Sequence, residues 1–252
     1  MEAVLTPASR MLILCTPSNP TGAVYPLAAL QAIAAVVARH PRLLVLSDEI
    51  YEHIIYPPAK HHSFAALPGM WERTITVNGF SKSFAMTGWR MGYLAAPNWA
   101  AAAAASVQSQ TTSGASAIAQ RASLAALAMG PAGGAPVAEM VAAFRSRRDY
   151  VSRRISAWPG VKLAPPDGAF YVMPDVSAYC GPNASAPGFG PVPDSDTLCR
   201  YLLESALVAL VPGEAFGAPG TLRISYAASM ETLTEALDRC EKALKAIVPQ
   251  PR

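Results

Sequence analysis

Two short, uninterrupted apolar runs on either side of an amphipathic segment restrict the fold of this chain more than any other feature. The runs are MLILC at 11–15 and LLVLS at 43–47, and the alanine-rich segment from Pro26 to Arg39 has apolar residues at helical spacing. A continuous apolar run of this length is typical of a strand buried on both faces. The pattern predicts two parallel strands joined by a helix, in a sheet covered on both faces.

Four downstream segments extend this first domain. TITVN at 74–78 and MGYLA at 91–95 are predicted strands, helix-forming sequence begins after Asn98, and the segment MGPAGGAP at 129–136 interrupts it. Clustered glycine and proline residues break a helix. We therefore predict an α/β domain with a mostly parallel sheet at residues 1–135.

A smaller α+β domain is predicted for residues 136–252. It opens with a long helix whose apolar residues recur at helical spacing between arginines. A last helix begins with Ser229 as its N-cap, and residues 180–193 are predicted to form one ordered surface loop. The predicted strands of this domain are AFYVM at 169–173, VALV at 208–211 and TLRIS at 221–225.

The composition excludes several classes of partner. The chain has 252 residues, of which 52% are hydrophobic, so it can bury a sizeable core. With 15% charged residues and a formal net charge of +3, it carries no strong field of one sign. We therefore expect neither nucleic acid nor a membrane as partner, and small molecules as ligands.

Residues 91–120 contain no charged side chain, which raises the question of a membrane-spanning helix. Pro97, Asn98 and many serine, threonine and glutamine residues interrupt this stretch, so we predict no such helix. The first ten residues also lack the apolar core of a signal peptide.

The cysteines and histidines show no metal-binding pattern. No CxxC pair is present, so we predict free thiols and no metal site. His61 and His62 have no third ligand nearby in sequence, and we expect them in a surface loop. The cysteines are Cys15, Cys180, Cys199 and Cys240.

Four short segments carry most of the polar residues that could support cofactor chemistry. NPTG alone would be an ordinary turn, but the four segments together resemble the aspartate aminotransferase family, fold type I of the pyridoxal-phosphate enzymes. The resemblance covers nearly the whole chain, in the family's order and spacing. It implies that residues 1–135 belong to a large domain that binds pyridoxal 5'-phosphate. The segments are SNPTG at 18–22, SDEIYEH at 47–53, NGFSKSFAMTGWRMGY at 78–93 and LRISYAAS at 222–229.

The resemblance assigns the central catalytic role to Lys82. Its amine would bond covalently to the cofactor aldehyde and later move a proton between substrate and cofactor. A solvated surface lysine is the alternative, but Arg90 follows at the family's lysine-to-arginine interval. A guanidinium can bind phosphate through two parallel hydrogen bonds, and the resemblance gives this task to Arg90 with the hydroxyl of Ser81.

Asp48 comes directly after the apolar run LLVLS, where the carboxyl ends of parallel strands place their ligands. By resemblance, its carboxylate pairs with the ring nitrogen of the cofactor; a helix or turn cap is the alternative. The neighbouring Glu49 points elsewhere on an extended backbone and is not a candidate.

Three further side chains complete the implied site. Tyr51 and Asn19 would donate hydrogen bonds to the phenolic oxygen of the cofactor, and Asn19 would also contact the substrate. Arg223 lies inside an apolar run, where an unpaired buried charge is costly, so it needs an anionic partner. The resemblance supplies the α-carboxylate of an amino acid. A structural tyrosine, a turn asparagine and a structural salt bridge are the alternatives.

Within the family, the chain is most similar to the plastid aspartate/prephenate aminotransferases of plants and algae. This implies transfer of an amino group from aspartate or glutamate to prephenate, giving arogenate, and interconversion of aspartate and oxaloacetate. It also implies a homodimer in the plastid stroma. The segments that carry this similarity are 47–56, 86–97, 113–120 and 181–196.

The chain departs from the family at its start, where about the first third of the family's length is missing. We expect the lost part to include a helix N-terminus that holds the phosphate, so that these 252 residues alone bind the cofactor weakly or not at all. Two alternatives stay open. One is another fold-type-I enzyme, such as a kynurenine-type aminotransferase or a carbon–sulfur lyase, and the other is a non-catalytic sensor domain.

Overall fold

The computed structural model describes residues Met1–Ile247, and the chain divides into two units. Unit 1 comprises residues 1–19, 23–141 and 167–169, and unit 2 comprises residues 20–22, 142–166 and 170 onward. The main boundary lies within one helix, between Val141 and Ala142. The domain boundary that we place after residue 135 stays a prediction.

Unit 1 is built on a four-stranded sheet in the order β1-β2-β3-β4. Strands β1 to β3 are parallel, and β4 is antiparallel to β3. Helix α1 (Leu27–Arg39) joins β1 to β2, which confirms the predicted strand–helix–strand unit. The strands are β1 (Met11–Cys15), β2 (Leu44–Asp48), β3 (Thr74–Gly79) and β4 (Gly92–Ala95).

One face of this sheet carries the main core of unit 1. Leu14 and Val45 lie on this face, because alternate residues of a strand point to the same side. Apolar side chains from α1 and from the segment after β2 complete the core. Its buried members are Leu14, Leu30, Ala34, Val37, Leu43, Val45, Phe64, Leu67 and Met70.

The opposite face of the sheet is open, which corrects the expectation of a sheet covered on both faces. Ile13 on β1 is 70% exposed, and Leu94 on β4 is 39% exposed. Every residue of β4 is exposed. Within the described residues, β1 is therefore not buried on both faces, although its apolar run is continuous.

Three helices follow the sheet in the chain: α2 (Asn98–Thr111), α3 (Ala117–Leu127) and α4 (Gly134–Ser156). The predicted break between α3 and α4 is confirmed, and Gly134 shows its physical reason. Its φ is +68°, and a Cβ there would lie 2.2 Å from the carbonyl oxygen of Met129. Within the described chain, no single helix has the length and apolarity to cross a bilayer; one helix pair, bent by 94°, meets those criteria by length and composition alone.

Unit 2 contains a three-stranded antiparallel sheet, a short hairpin and two further helices. The order of the sheet is β5-β9-β8, and β6 pairs with β7. Its elements are β5 (Tyr171–Val172), β6 (Ser185–Ala186), β7 (Gly190–Pro191), α5 (Ser195–Ala206), β8 (Val211–Pro212), β9 (Leu222–Ser225) and α6 (Met230–Ala246).

Two expectations for unit 2 need correction. In the predicted strand at 208–211, residues 208–210 belong to no strand and only Val211 is part of β8. The predicted loop at 180–193 contains the β6–β7 hairpin, and Ala186 within it is buried. Both elements are too short to produce a strand-length apolar pattern.

The predicted start of the last helix is confirmed. The hydroxyl of Ser229 accepts a hydrogen bond of 3.1 Å from the backbone N–H of Thr232, which is the geometry of an N-cap. Helix α5 is capped in the same way, since Asp194 accepts a 2.8 Å bond from the N–H of Thr197. The apolar stripe of α6 is buried as its spacing indicated: Leu233, Leu237, Cys240 and Leu244.

Candidate functional site

The carboxyl ends of three adjacent parallel strands meet at one edge of the sheet in unit 1. β1 ends at Cys15, β2 at Asp48 and β3 at Gly79. Cys15 is in register with Asp48, and Asp48 is in register with Val77. Because β4 is antiparallel, its first residue, Gly92, pairs with Gly79 at the same edge.

This topology brings six of the seven predicted site residues to the same edge. Asn19 follows β1, Asp48 ends β2 and Tyr51 lies three residues later. In open parallel sheets this edge is where ligands bind. The remaining three residues lie in the connection from β3 to β4: Ser81, Lys82 and Arg90.

Asp48 lies on the open face of the sheet, since it alternates with the core-facing Ser47. Its Oδ1 accepts a 3.1 Å hydrogen bond from the N–H of Ile50, which fixes the direction of the carboxylate. Burial raises the pKa of the Cys15 thiol, a hydrogen bond with the backbone of Asn19 lowers it, and the charge of Asp48 raises it. Asn19, Asp48 and Cys15 are therefore electrostatic neighbours.

Lys82 and Ser81 are half-buried in the turn that follows β3. The carbonyl oxygen of Lys82 accepts a 3.1 Å bond from the N–H of Ala85, whose φ of +53° marks a tight turn. Ser83 donates a 3.4 Å hydrogen bond to the carbonyl oxygen of Ile50. The lysine turn is therefore tied to the segment that carries Asp48 and Tyr51.

Tyr51 and Arg90 differ sharply in exposure. Tyr51 is 3% exposed, whereas Arg90 is exposed and its Nη1 donates a 2.9 Å hydrogen bond to the carbonyl oxygen of Thr87. The φ of Arg90 is +52°, in the left-handed region that glycine prefers. This conformation directs the chain from the turn into β4.

Arg223 belongs to β9 in unit 2 and is half-buried. Its guanidinium carbon lies 4.7 Å from the ring centre of Tyr171 and 5.1 Å from that of Phe216. Aromatic faces attract a cation at these distances, so the two rings hold the guanidinium in place. The charge in the apolar run is thus accommodated by aromatic neighbours.

Glu49, which the sequence reasoning set aside, is the most connected carboxylate of unit 1. Its side chain is 2% exposed and accepts hydrogen bonds from Ser47, Ser63, Phe64 and His61. Burial raises the pKa of Glu49, but the hydrogen bonds from His61, Ser47 and Ser63 outweigh it, and the pKa lies below its ordinary value. Glu49 is therefore ionised at neutral pH.

His61 also differs from the expectation for a surface loop. It lies outside helices and strands, but its side chain is largely buried against Glu49. Because alternate residues point to the same side, the sequence did indicate that Ser47 and Glu49 face the same side of the chain. The contacts with residues 61–64 could not be predicted, because no local pattern indicates that this loop folds back onto β2.

Glu49, Glu52 and His61 have ligand atoms within 4.8 Å of one another, a spacing that could accommodate a metal ion. Glu52 also accepts a 2.6 Å hydrogen bond from Nδ2 of Asn78. The oxygens of Glu49 already bind four donors, so we treat this cluster as a hydrogen-bond network. The absence of a metal site stays a prediction.

The open α/β sheet, with polar and ionisable residues gathered beyond its carboxyl edge, defines a class of protein that binds small ligands at that edge. The chain belongs to the family of class I and II aminotransferases, whose model matches residues 1–240.

Two plant proteins are similar to the chain over nearly its whole length. A bifunctional aspartate aminotransferase and glutamate/aspartate-prephenate aminotransferase of Petunia hybrida is 60% identical over 249 residues, which are 99% of this chain and 52% of that protein. An aspartate aminotransferase of Pinus pinaster is 60% identical over 96% of this chain and 49% of its own length. The chain thus spans about half the length of these relatives.

Solved structures show the same fold. The aspartate aminotransferase of Rhizobium meliloti is similar with a TM-score of 0.91 at 42% identity, over 98% of this chain and 61% of that one. The aromatic aminotransferase of Pyrococcus horikoshii OT3 gives 0.88 at 41% identity, over 97% and 62%. The expected fold, an incomplete fold-type-I α/β architecture with a smaller α+β part, is confirmed.

Proposed function

We propose that the protein containing this chain is a pyridoxal-phosphate-dependent aminotransferase that moves the amino group of aspartate or glutamate to a 2-oxo acid. One observation carries the proposal. Six residues with complementary chemistry, an amine, a guanidinium, a carboxylate, a phenol, a hydroxyl and an amide, follow or flank the carboxyl ends of three adjacent strands. This donor set fits a ligand with an aldehyde, a phosphate and a basic ring nitrogen.

Pyridoxal phosphate, when bound, supplies an electron sink for the substrate's Cα carbanion. In the proposal, Lys82 would hold the cofactor covalently, and once the substrate amine has displaced it, the released lysine amine would accept a proton from the substrate Cα and return it. Lys82 is half-buried in a turn that is tied to the segment with Asp48 and Tyr51, and this position supports the role. Arg90 and Ser81 bind the phosphate through charge-assisted hydrogen bonds.

Asp48 balances the positive charge of a protonated ring nitrogen. Its fixed carboxylate on the open face supports this role, because a carboxylate already oriented by the N–H of Ile50 loses little freedom on binding. Tyr51 and Asn19 would donate hydrogen bonds to the phenolic oxygen of the cofactor. Tyr51 is almost fully buried, which restricts the conformations of its side chain.

Arg223 binds the α-carboxylate of the amino acid. The rings of Tyr171 and Phe216 hold its guanidinium group by cation–π contacts, and a guanidinium can bind a carboxylate through two parallel hydrogen bonds. A lysine would keep the charge but lose both the stacking and the paired hydrogen bonds.

We propose prephenate and oxaloacetate as the acceptors. The name of the Petunia hybrida relative, which includes prephenate and aspartate activities, supports this choice. The test is the polypeptide of the complete gene, assayed with aspartate or glutamate as donor and prephenate, oxaloacetate or 2-oxoglutarate as acceptor. Product from 2-oxoglutarate or oxaloacetate alone would restrict the activity to that of an aspartate aminotransferase.

Lys82→Ala in the same polypeptide tests the catalytic assignment. We expect kcat to fall by at least about 10⁴-fold and the visible absorbance of the covalently bound cofactor to disappear. Lys60→Ala, which removes an exposed lysine of the same unit, is the matched control and keeps both signals. Equal activity of the two variants, or release of pyruvate and ammonia from a cysteine conjugate as the main reaction, contradicts the proposal.

Localisation and assembly are part of the same proposal. We place the protein in the plastid stroma as a homodimer, because the sequence resembles the plastid enzymes of plants and algae. A fluorescent fusion of the complete coding sequence tests the compartment, and light scattering of the purified protein tests the dimer. A cytosolic signal or a monomeric mass contradicts the corresponding statement.

A further inference from the structure

The local sequence around Glu49 does not explain why its carboxylate is buried and hydrogen-bonded. Glu49 is buried, ionised and bound by four donors, yet the roles proposed for this edge fall on Asp48 and Tyr51 beside it. Its Oε1 accepts from Ser47 Oγ at 2.8 Å, Ser63 Oγ at 3.0 Å and the N–H of Phe64 at 3.2 Å.

The second oxygen of Glu49 pairs with His61. Nε2 of His61 lies 3.0 Å from Oε2, and since an ionised carboxylate can only accept, Nε2 carries the proton. Three of the four donors come from residues 61–64, a loop that is remote in sequence. The side chain of Phe64, at the end of this loop, is fully buried in the main core of unit 1. The carboxylate thus ties the end of β2 to a point that the core itself fixes.

The backbone of Glu49 is held at the same place. Its N–H donates a 2.9 Å bond to Val77 of β3, and its carbonyl oxygen accepts a 2.9 Å bond from Glu52. The next turn closes with a 2.8 Å bond from the N–H of Ile54 to the carbonyl oxygen of Tyr51. Side chain and backbone together therefore fix both ends of the short segment between β2 and residue 54.

Asp48 and Glu49 have different contacts because successive side chains point to opposite sides of a strand. Asp48 points to the open face, whereas Ser47 and Glu49 point to the core-facing side. The direction of the Asp48 carboxylate is set by the backbone N–H of Ile50, and the buried carboxylate of Glu49 holds the residue that lies between them. We therefore expect a change at Glu49 to alter the position of Asp48 on the opposite face through the backbone between them.

We propose that Glu49 is a positioning residue: by binding residues 61–64 it fixes the turn that presents Asp48 and Tyr51 at the open face. The contacts of Glu49 do not depend on the proposed function, whereas their effect on a bound cofactor rests on it. The first of two measurements tests the contacts, and the second tests the effect on the cofactor.

The first measurement is amide hydrogen exchange of residues 48–54 in the polypeptide of the complete gene, with no cofactor added. Glu49→Ala removes the acceptor of all four donors, and we expect exchange in this segment to rise at least about tenfold. Glu49→Gln rescues it to within about threefold, because the amide oxygen still accepts and the amide N–H₂ can donate to a neutral His61.

The control is Glu214→Ala in unit 2. This exposed carboxylate also accepts from a serine hydroxyl and a backbone N–H, both of Ser195. Exchange is expected to rise near Ser195 and to stay unchanged at 48–54. Unchanged exchange at 48–54 in Glu49→Ala, or an equal rise there in Glu214→Ala, overturns the proposal. If Glu49→Ala does not fold, Ser63→Ala replaces it, with about a threefold rise expected.

The second measurement is the pH titration of the bound cofactor's visible absorbance, together with kcat and KM. A displaced Asp48 shifts the titration midpoint and lowers kcat about tenfold or more in Glu49→Ala, while KM for aspartate stays within about twofold. Faster exchange with an unchanged midpoint and kcat overturns the positioning role. If the unmutated protein shows neither absorbance nor activity, the proposed function fails, and hydrogen exchange still decides whether Glu49 fixes the turn.

Discussion

Units 1 and 2 differ in how completely their apolar surfaces are covered. Unit 1 exposes large apolar side chains on β1, on β4 and along α2 and α3, and a groove of about 550 Å³ runs beside β4 and α3. These side chains include Met11, Ile13, Tyr93, Leu94, Trp99, Val107, Ile118, Leu124 and Leu127. Among the described residues of unit 2, those exposed in this way are Leu203, Leu207 and Met230.

The helices of the two units also differ in their N-caps and in how many apolar residues they bury. Helices α5 and α6 of unit 2 have side-chain N-caps and a buried apolar stripe. In unit 1, α2 has no side-chain cap and buries only Ala100 among its residues. Unit 1, which carries the proposed cofactor residues, is therefore also the unit with more large apolar side chains exposed among the described residues.

The largest expected effect comes from deleting a core side chain of unit 2. Leu222 is fully buried, so Leu222→Ala should lower the free energy of unfolding by about 2–5 kcal/mol. Ile13→Ala in unit 1 is the matched comparison, and because Ile13 is 70% exposed its cost should stay within about 0.5 kcal/mol. Urea unfolding followed by circular dichroism measures both. A similar cost for Ile13→Ala would mean that the open face is covered in solution.

A smaller effect is expected from two serines that occupy the same position in their helices. Ser229 caps α6 through its hydroxyl, whereas Ser116 precedes α3 without a side-chain cap bond. Ser229→Ala should therefore destabilise the protein by about 1 kcal/mol, and Ser116→Ala by only about 0.3 kcal/mol or less. The same urea experiment measures both variants. Equal losses of stability in the two variants would contradict the difference between the N-cap of α6 and the uncapped start of α3.

The smallest expected effect is a change in how the stability of the protein depends on pH, and it arises from Glu49 in unit 1. The folded-state pKa of Glu49 lies below its ordinary value, so the unfolded chain binds the proton first as the pH falls. The stability that Glu49 contributes is present at neutral pH and is lost as the pH falls through the acidic range to the folded pKa. The Tm difference between the unmutated protein and Glu49→Gln should therefore shrink on acidification. A constant difference contradicts a stabilising role of the ionised carboxylate of Glu49 and its hydrogen bonds.

The sequence was sufficient for the elements whose signals are local. β1, α1, β3 and the start of α6 follow from apolar runs and from the cap at Ser229. The gathering of Asp48 and Lys82 at one edge follows from the parallel order of the strands. Roles for these residues stay predictions, because they rest on resemblance.

What the sequence could not supply depends on distant contacts. The open face of β1 has the same apolar pattern as a covered one, since the pattern records which residues are apolar and not what packs on them. The network around Glu49 joins residues 47–49 to 61–64 through a loop without regular spacing. Two-residue strands such as β5 and β8 are defined by their partners and carry too few residues for any period.

The left-handed backbone at Arg90 has a consequence for protein engineering. A side chain in this conformation costs about 1 kcal/mol relative to glycine, so Arg90→Gly would relieve strain while deleting the guanidinium. A library selected only for heat resistance would therefore enrich glycine at this position and discard the proposed phosphate ligand. Selection at this position needs a cofactor-binding step alongside the thermal one.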